Sequence, residues 1–330
     1  MTALACIFGG VAGTSLTEEE RAFFRAADPW GFILFARNIE SPDQVRALCA
    51  ELREAVGREA LITIDQEGGR VQRLRPPHWR DWPVPLVSAA DGARAVWLRH
   101  RLMGAELRAV GVDSNCAPCL DIAGPQTHPF LHDRCFGHDP DTVAQMGRAA
   151  AEGLLAAGVV PCIKHLPGHG RARTDSHEEL PEVGEGLDVL TDWDFAPFRA
   201  LADMPFGMTG HLRFPALDAQ PVTTSARVIG LIRDVIGFDG LLTSDDITMQ
   251  SLSGTHPERA AASIAAGCDV VMHCNQDVPA MEAVAAATGA LTPKAAARAE
   301  AALATRQPPA PDDLAALEAE LAAISPGAGA

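Results

Sequence analysis

The sequence predicts a single-domain (β/α)₈ barrel of the TIM type. Short apolar runs alternate with longer helical stretches along most of the 330 residues, the rhythm of an α/β fold with a parallel sheet. Nearly every apolar run ends on a polar or titratable residue, as the strands of a barrel do where they feed an active site. A doubly wound open sheet is the alternative, but no Gly-x-Gly-x-x-Gly fingerprint opens the chain. The barrel is expected over 1–305. The remaining 306–330 reads as a C-terminal helix and frayed tail, packed on the barrel or trailing from it.

The strand runs are Ala5–Val11, Gly31–Phe35, Leu61–Asp65, Val112–Pro118, Val159–Lys164, Pro205–Gly210, Gly240–Ser244 and Asp269–His273. Between them, helical spacing runs over Thr17–Ala27, Pro42–Val56, Ala93–Val110, Pro140–Ala157, Ser225–Ile236 and Pro257–Ala266. Thr17-Glu18-Glu19-Glu20 is a capping-box start, and Ser41-Pro42 puts proline at the first helical position. Gly111, Gly158 and Gly267 stand where a helix ends and a strand begins. Beyond about Pro279 the chain is alanine-rich. Helical patterns there cover Met281–Thr288, Pro293–Thr305 and Asp312–Ala323, and the segment ends on Gly327-Ala328-Gly329-Ala330.

Composition narrows the function. The chain is 47% hydrophobic, 21% charged and carries a net charge of −16, which suits a globular protein and disfavours nucleic acid or anionic membrane as partner. No secretory leader is evident after Met1, and no stretch is long enough to span a bilayer. The eight cysteines sit mostly in apolar runs, as buried thiols of a reducing compartment do. Cys116-Ala-Pro-Cys119 has CxxC spacing but no second pair for zinc and lies within a strand pattern. A cytoplasmic monomer without metal or cofactor is expected.

The chemistry gathers in Lys164–His177, written KHLPGHGRARTDSH. A buried strand gives way at once to three histidines, a lysine, two arginines and an aspartate around Gly168 and Gly170, and such a loop commonly carries function. The competing reading is an ordinary charged surface loop, which needs no abrupt strand exit. Other exits supply Asp65-Gln66-Glu67-Gly68-Gly69, Asp121, His211, Asp245-Asp246 and His273-Cys274-Asn275.

Three of these stretches, in this order, resemble the family 3 glycoside hydrolases, in particular the single-domain bacterial β-N-acetylhexosaminidases. They are Ile64-Asp-Gln-Glu-Gly-Gly-Arg-Val-x-Arg73, Lys164-His-x-Pro-Gly-His-Gly170 with Asp175-Ser-His177, and Ser244-Asp-Asp246. The similarity runs from about Phe8 to about His273. It implies a retaining exo-β-N-acetylglucosaminidase that acts on cell-wall muropeptide fragments, a carbohydrate substrate. It implies Asp245 as nucleophile, forming a glycosyl-enzyme ester. His177 would be the acid–base group, oriented by Asp175, and a histidine titrates near operating pH. It further implies that Asp65, Arg73, Arg134, Lys164 and His165 surround the sugar.

Each residue also has a plainer reading. Asp245 could be a helix N-cap, and the substrate-binding set could be ion pairs supporting the rim, Arg134 through its neighbour Asp133. Asp246 should point away from Asp245 by strand alternation and be structural, as should Glu67. His169 is expected to shape the loop rather than touch substrate, and His211 to line the pocket floor. The pair Asp175/His177 is expected to project together only where the loop is extended. Arg171 and Arg173 add basic charge that could meet an anionic aglycone, or phosphate if the reaction is phosphorolysis. A Schiff-base lyase using Lys164, a metal-dependent hydrolase and a pure sugar binder remain minor readings: Lys164 neighbours His165, the first strand lacks His-x-His, and a binder needs no Asp175, His177 and Asp245 together.

Overall fold

A computed structural model describes residues 3–325. Its eight parallel strands follow chain order around a barrel: β1 Leu4–Phe8, β2 Pro29–Leu34, β3 Leu61–Ile64, β4 Ser114–Asn115, β5 Val160–Leu166, β6 Phe206–Thr209, β7 Leu241–Asp246 and β8 Val270–His273. β1 pairs with both β2 and β8, so the first and last strands meet. The ring closes between β3 and β4, where Asp113 N–H donates to the Ile62 carbonyl at 3.0 Å and Cys116 N–H to the Ile64 carbonyl at 2.8 Å. The expected (β/α)₈ barrel is the observed fold.

Strand alternation sorts the side chains. Ile7 of β1, Cys162 of β5, Met208 of β6, Leu241 of β7 and Met272 of β8 pack together in the barrel interior. Their neighbours Cys6, Phe8 and Val271 face outward onto the helices, as do Ile163 and Leu242 on the other half of the ring. Fully burying side chains of this size contributes roughly 1.5–3 kcal/mol each. Helix ends follow their local signals. The Thr17 hydroxyl accepts from Glu20 N–H at 3.2 Å, and the Glu20 carboxylate accepts from Thr17 N–H at 2.8 Å. Helix Pro42–Val56 starts after the Ser41 cap with proline in its first turn. Gly111, Gly158 and Gly267 take φ of 88°, 74° and 113°, the left-handed backbone of helix-ending glycines.

Strand bounds differ from expectation where backbone chemistry intervenes. β1 stops at Phe8 instead of Val11, since Gly9-Gly10 has little preference for extended chain. The fourth strand shrinks from Val112–Pro118 to Ser114–Asn115. Pro118 lacks the N–H a regular ladder needs, although Pro118 and Ala117 still accept bonds from Lys164 and Cys162. β5 runs on to Leu166 and β7 to Asp246. The short helical turns from Leu187 to Ala200, between β5 and β6, had no counterpart in the sequence reading.

The last helix, Leu314–Ile324, lies against helix Gly92–Ala109: Leu321 packs with Trp82, Leu98 and Leu102, and Glu320 takes two bonds from Arg94 at 2.7 Å. The expected frayed end, Gly327–Ala330, lies outside the described residues. All eight cysteines are free thiols. Among the described residues no helix is long and apolar enough to cross a membrane.

Candidate active site

A hollow of about 280 Å³ opens at the C-terminal ends of the strands, where barrel enzymes place their chemistry. Asp65, Arg73, Arg134, Lys164, His165, His177 and Asp245 all line it. Asp175 stands one step back, against His177. Eight positions separated by as many as 180 residues of chain are thus brought to one place by the barrel.

One wall is an ion-pair lattice. Lys164, only 3% exposed at its side chain, projects inward from β5 between two carboxylates, with Nζ 3.0 Å from Asp65 Oδ1 and 2.6 Å from Glu67 Oε1. Arg73 Nη2 donates to the other Asp65 oxygen at 3.0 Å. The Arg134 fork is bidentate on Glu67 at 2.9 and 2.8 Å. Burial alone would raise both carboxyls. Lys164 and Arg73 instead hold Asp65 well below the usual carboxylate range, and Arg134 and Lys164 bring Glu67 down to about 2. Lys164, which burial would lower, is held up by Asp65 and Glu67. A cationic lysine paired this way has no free amine for Schiff-base chemistry. Such a wall presents fixed donors and acceptors to the hollow.

Asp121, at the exit of the fourth strand, organises the second wall. Its Oδ2 accepts from His165 Nδ1 at 2.6 Å and its Oδ1 from His169 N–H at 2.6 Å. Burial would raise this carboxyl, but His165 and His169 hold it well below its ordinary range. His165 then turns Nε2 towards Arg134 Nη2, 3.4 Å away. Cys119, Asp121 and His165 offer donor atoms within 4.8 Å of one another, a set of the kind that can hold a metal ion, and here they bond to each other: the Cys119 thiol donates to Asp121 at 3.2 Å.

The loop is seated by close backbone approach. A Cβ on Gly170 would lie 2.2 Å from the Ile122 carbonyl oxygen, and Gly168 sits at φ 138° against Asp194. Gly170→Ala is therefore expected to unseat the loop and destabilise the fold by ~1–3 kcal/mol, with loss of activity. Thermal unfolding of the variant checks it, and an unchanged midpoint would count against this packing.

Asp245 ends the inward-facing row of β7, and Asp246, next to it, also reaches the hollow. Strand alternation does not turn Asp246 away from the hollow, but its carboxylate is taken up by the protein: it accepts from Thr248 Oγ1 at 2.7 Å, Thr248 N–H at 2.9 Å and Cys274 N–H at 3.2 Å. Asp245 accepts only its neighbour's N–H, at 2.8 Å, among the bonds of the described residues, which leaves lone pairs facing the hollow. Burial would raise its carboxyl, but His211, His165 and that N–H bring it below its ordinary value. An ionised, under-bonded carboxylate beside a sugar-sized hollow is a competent nucleophile.

The pair Asp175/His177 is formed, but not by extended chain. Asp175 opens a turn, its carbonyl accepting from Glu178 and Glu179 N–H at 3.0 Å. Its carboxylate curls back to accept from His177 N–H at 2.9 Å and Nδ1 at 2.7 Å. This aspartate turn corrects the expectation, because a short acceptor reaching two residues ahead favours a turn. The Asp175 carboxyl, which burial would raise, is lowered by the two His177 bonds. With Nδ1 held by Asp175, His177 has Nε2 left unbonded among the described residues. Its side chain is 63% exposed and meets the Phe130 ring edge-on, centroids 6.0 Å apart.

Two further expectations are corrected. Arg134 pairs with Glu67, not Asp133, which instead lies 3.9 Å from Arg70. His211 is fully buried behind the pocket, its Nε2 bonding the Asp246 carbonyl at 3.0 Å and its Nδ1 the Thr223 hydroxyl at 2.8 Å, so it braces the β7 end instead of lining the floor. Arg171 is taken up by Asp194 at 2.7 Å and Glu185 at 3.2 Å, and it and Arg173 line a second cavity beside Gly170 and Ile122 rather than the hollow around Asp245. Sequence reasoning gave no role to Asp121 or Phe130. Asp121 stood at a strand exit, which was its only signal; Phe130 had none.

Comparison with known proteins places the chain in a family. The family model for the glycosyl hydrolase family 3 N terminal domain matches residues 12–304. A β-hexosaminidase of Pseudomonas aeruginosa is 40% identical over 284 residues, 84% of each chain. One of Alkalilimnicola ehrlichii is 41% identical over 286 residues, 82% of each. The structure of NagZ from Neisseria gonorrhoeae in complex with N-trifluoroacetyl-D-glucosamine is 30% identical, covers 98% of both chains and superposes with a TM-score of 0.86.

Proposed function

Because the chain belongs to glycosyl hydrolase family 3 and is a β-N-acetylhexosaminidase, we propose that it removes terminal, non-reducing β-linked N-acetylglucosamine with retention of configuration. The observation that carries this reading is the placement of Asp245 and His177 on one hollow of about 280 Å³, a volume that suits one terminal sugar ring. Asp245 attacks the anomeric carbon as the glycosidic bond breaks, while His177 Nε2 gives a proton to the leaving oxygen. His177, now neutral, then takes a proton from water as that water displaces Asp245 from the sugar. Asp175 supports the imidazolium form. Asp65, Arg73, Arg134, Lys164 and His165 hold the hydroxyls. The substrate proposed is a soluble muropeptide fragment of the cell wall, met in the cytoplasm by a monomeric enzyme.

The test is leaving-group dependence. His177→Ala is expected to slow hydrolysis of an alkyl or sugar N-acetylglucosaminide by on the order of 10²–10⁴-fold. The same variant should barely slow formation of the glycosyl-enzyme from a dinitrophenyl glycoside, whose aglycone leaves unassisted. Equal losses in that step for both substrates would remove His177 from the acid role.

A further inference from the structure

We propose that His169 is a direct contact of the bound sugar, hydrogen-bonding an uncharged hydroxyl or amide at the end of the hollow beside Asp245. This rests on the glycosidase reading above and adds a residue to it. The ring is 2% exposed, yet neither Nδ1 nor Nε2 meets a hydrogen-bond partner among the described residues. Buried polar nitrogens are rarely left so, because desolvation without a partner is unfavourable. The ring also lines the catalytic hollow together with His165, His177 and Asp245. A bound ligand in that hollow is the partner the geometry supplies.

The ring is positioned as firmly as a residue of the site should be. Its backbone N–H is held by Asp121 at 2.6 Å. Phe130 meets it edge-on with centroids 5.8 Å apart, His165 lies 5.7 Å away, and Cδ2 sits over Gly210, where a Cβ would come within 3.0 Å. Phe130 stands between His169 and His177, so the ring is on the reacting side of the hollow, near the Asp175/His177 pair.

The charge state narrows what it binds. Burial brings His169 down to about 4 against the opposing pull of Asp121, so at neutral pH it is an uncharged imidazole with one donor and one acceptor. The ion-pair wall offers groups that only donate (Lys164, Arg73, Arg134) or only accept (Asp65). A neutral imidazole complements a group that does both, as a sugar hydroxyl or an amide does.

Two variants keep the backbone bond to Asp121 and change only the ring: His169→Phe preserves an aromatic ring without nitrogens, and His169→Asn restores a donor and an acceptor. His169→Phe is expected to lower kcat/KM for a chromogenic N-acetylglucosaminide, and affinity for N-acetylglucosamine, by roughly tenfold or more. Its Tm should be unchanged or raised, because no bond of the resting protein is lost, and His169→Asn should recover part of the affinity. In the wild type, the His169 ring nitrogen resonances should shift on saturation with N-acetylglucosamine, a readout that holds even if a variant fails to fold. A purely structural ring would leave kcat/KM within about twofold and the resonances unmoved, overturning the inference while the glycosidase reading stands. A wild type that neither binds nor hydrolyses N-acetylglucosaminides would bring down both.

Discussion

Asp245→Ala is expected to abolish turnover, lowering kcat by on the order of 10⁴–10⁶-fold as removal of a covalent nucleophile does, with little change in folding. The expected neutrality in stability follows from the structure. Among the described residues Asp245 accepts one bond, from Asp246 N–H, and makes no ion pair, so its loss leaves no buried charge without a partner. Removing the side chain also vacates the face from which a small anion can approach the anomeric carbon. Azide added to the variant with a dinitrophenyl N-acetylglucosaminide should therefore restore activity and give the α-azide, the product of a single inversion. Kinetics with and without azide, and NMR of the product, check both halves. Retention of more than a few per cent of wild-type activity, or a β-azide, would remove Asp245 from the nucleophile role.

Glu67→Gln is expected to be the most destabilising single-atom change in the site, although this carboxylate does not line the hollow. It takes both donors of Arg134 and one from Lys164 at 1% side-chain exposure. Neutralising it leaves Arg134 without a carboxylate and Lys164 with only Asp65, which Arg73 already shares, and breaking a buried pair in this way costs about 3–5 kcal/mol. KM should rise as well, since Arg134 and Lys164 lose the group that aims them. The sign of the pH dependence follows from the same contact. The Glu67 carboxyl falls from 4.5 to about 2 on folding, so its contribution is complete above about 4.5 and is lost as pH falls towards 2. The variant should show a flatter loss of stability across that window, with Asp65 supplying what remains. Denaturant unfolding between neutral pH and pH 3 measures this. A wild-type-like midpoint at pH 7 would show that the lattice contributes little.

Much of the arrangement was legible because alternation and strand exits are local signals. Along β7, inward Leu241 and outward Leu242 follow directly from period two along one strand. The same rule fails at the strand exits, where the consecutive residues Asp245 and Asp246 both reach the hollow, and so do Lys164 and His165, where the pairing of β5 with β6 shifts register between Ile163 and Leu166. Partner choice was harder to read. Glu67 and Arg134 are 67 residues apart, and nothing in either local stretch says that they meet; the neighbour Asp133 offered itself and was the wrong partner. His211 looked like a pocket residue because it follows a strand, yet its ring turns behind β7. Asp175 and His177 were recognisable as a pair, while the turn that joins them depends on an aspartate reaching back to the backbone, which spacing alone does not reveal. Phe130, which stands between two catalytic-site histidines, comes from a short helix, Pro129–His132, with no periodic signature.

The central claim is a covalent bond between the sugar and Asp245, and mass spectrometry tests it most directly. The enzyme is incubated with an N-acetylglucosaminyl donor carrying 5-fluorine and a good leaving group, which slows breakdown of the intermediate more than its formation. After quenching and proteolysis, the added sugar mass is expected on the peptide that contains Asp245, and absent from the same peptide of Asp245→Asn. A sugar adduct on any other carboxylate, or turnover of the donor with no protein adduct and inverted product, would contradict it.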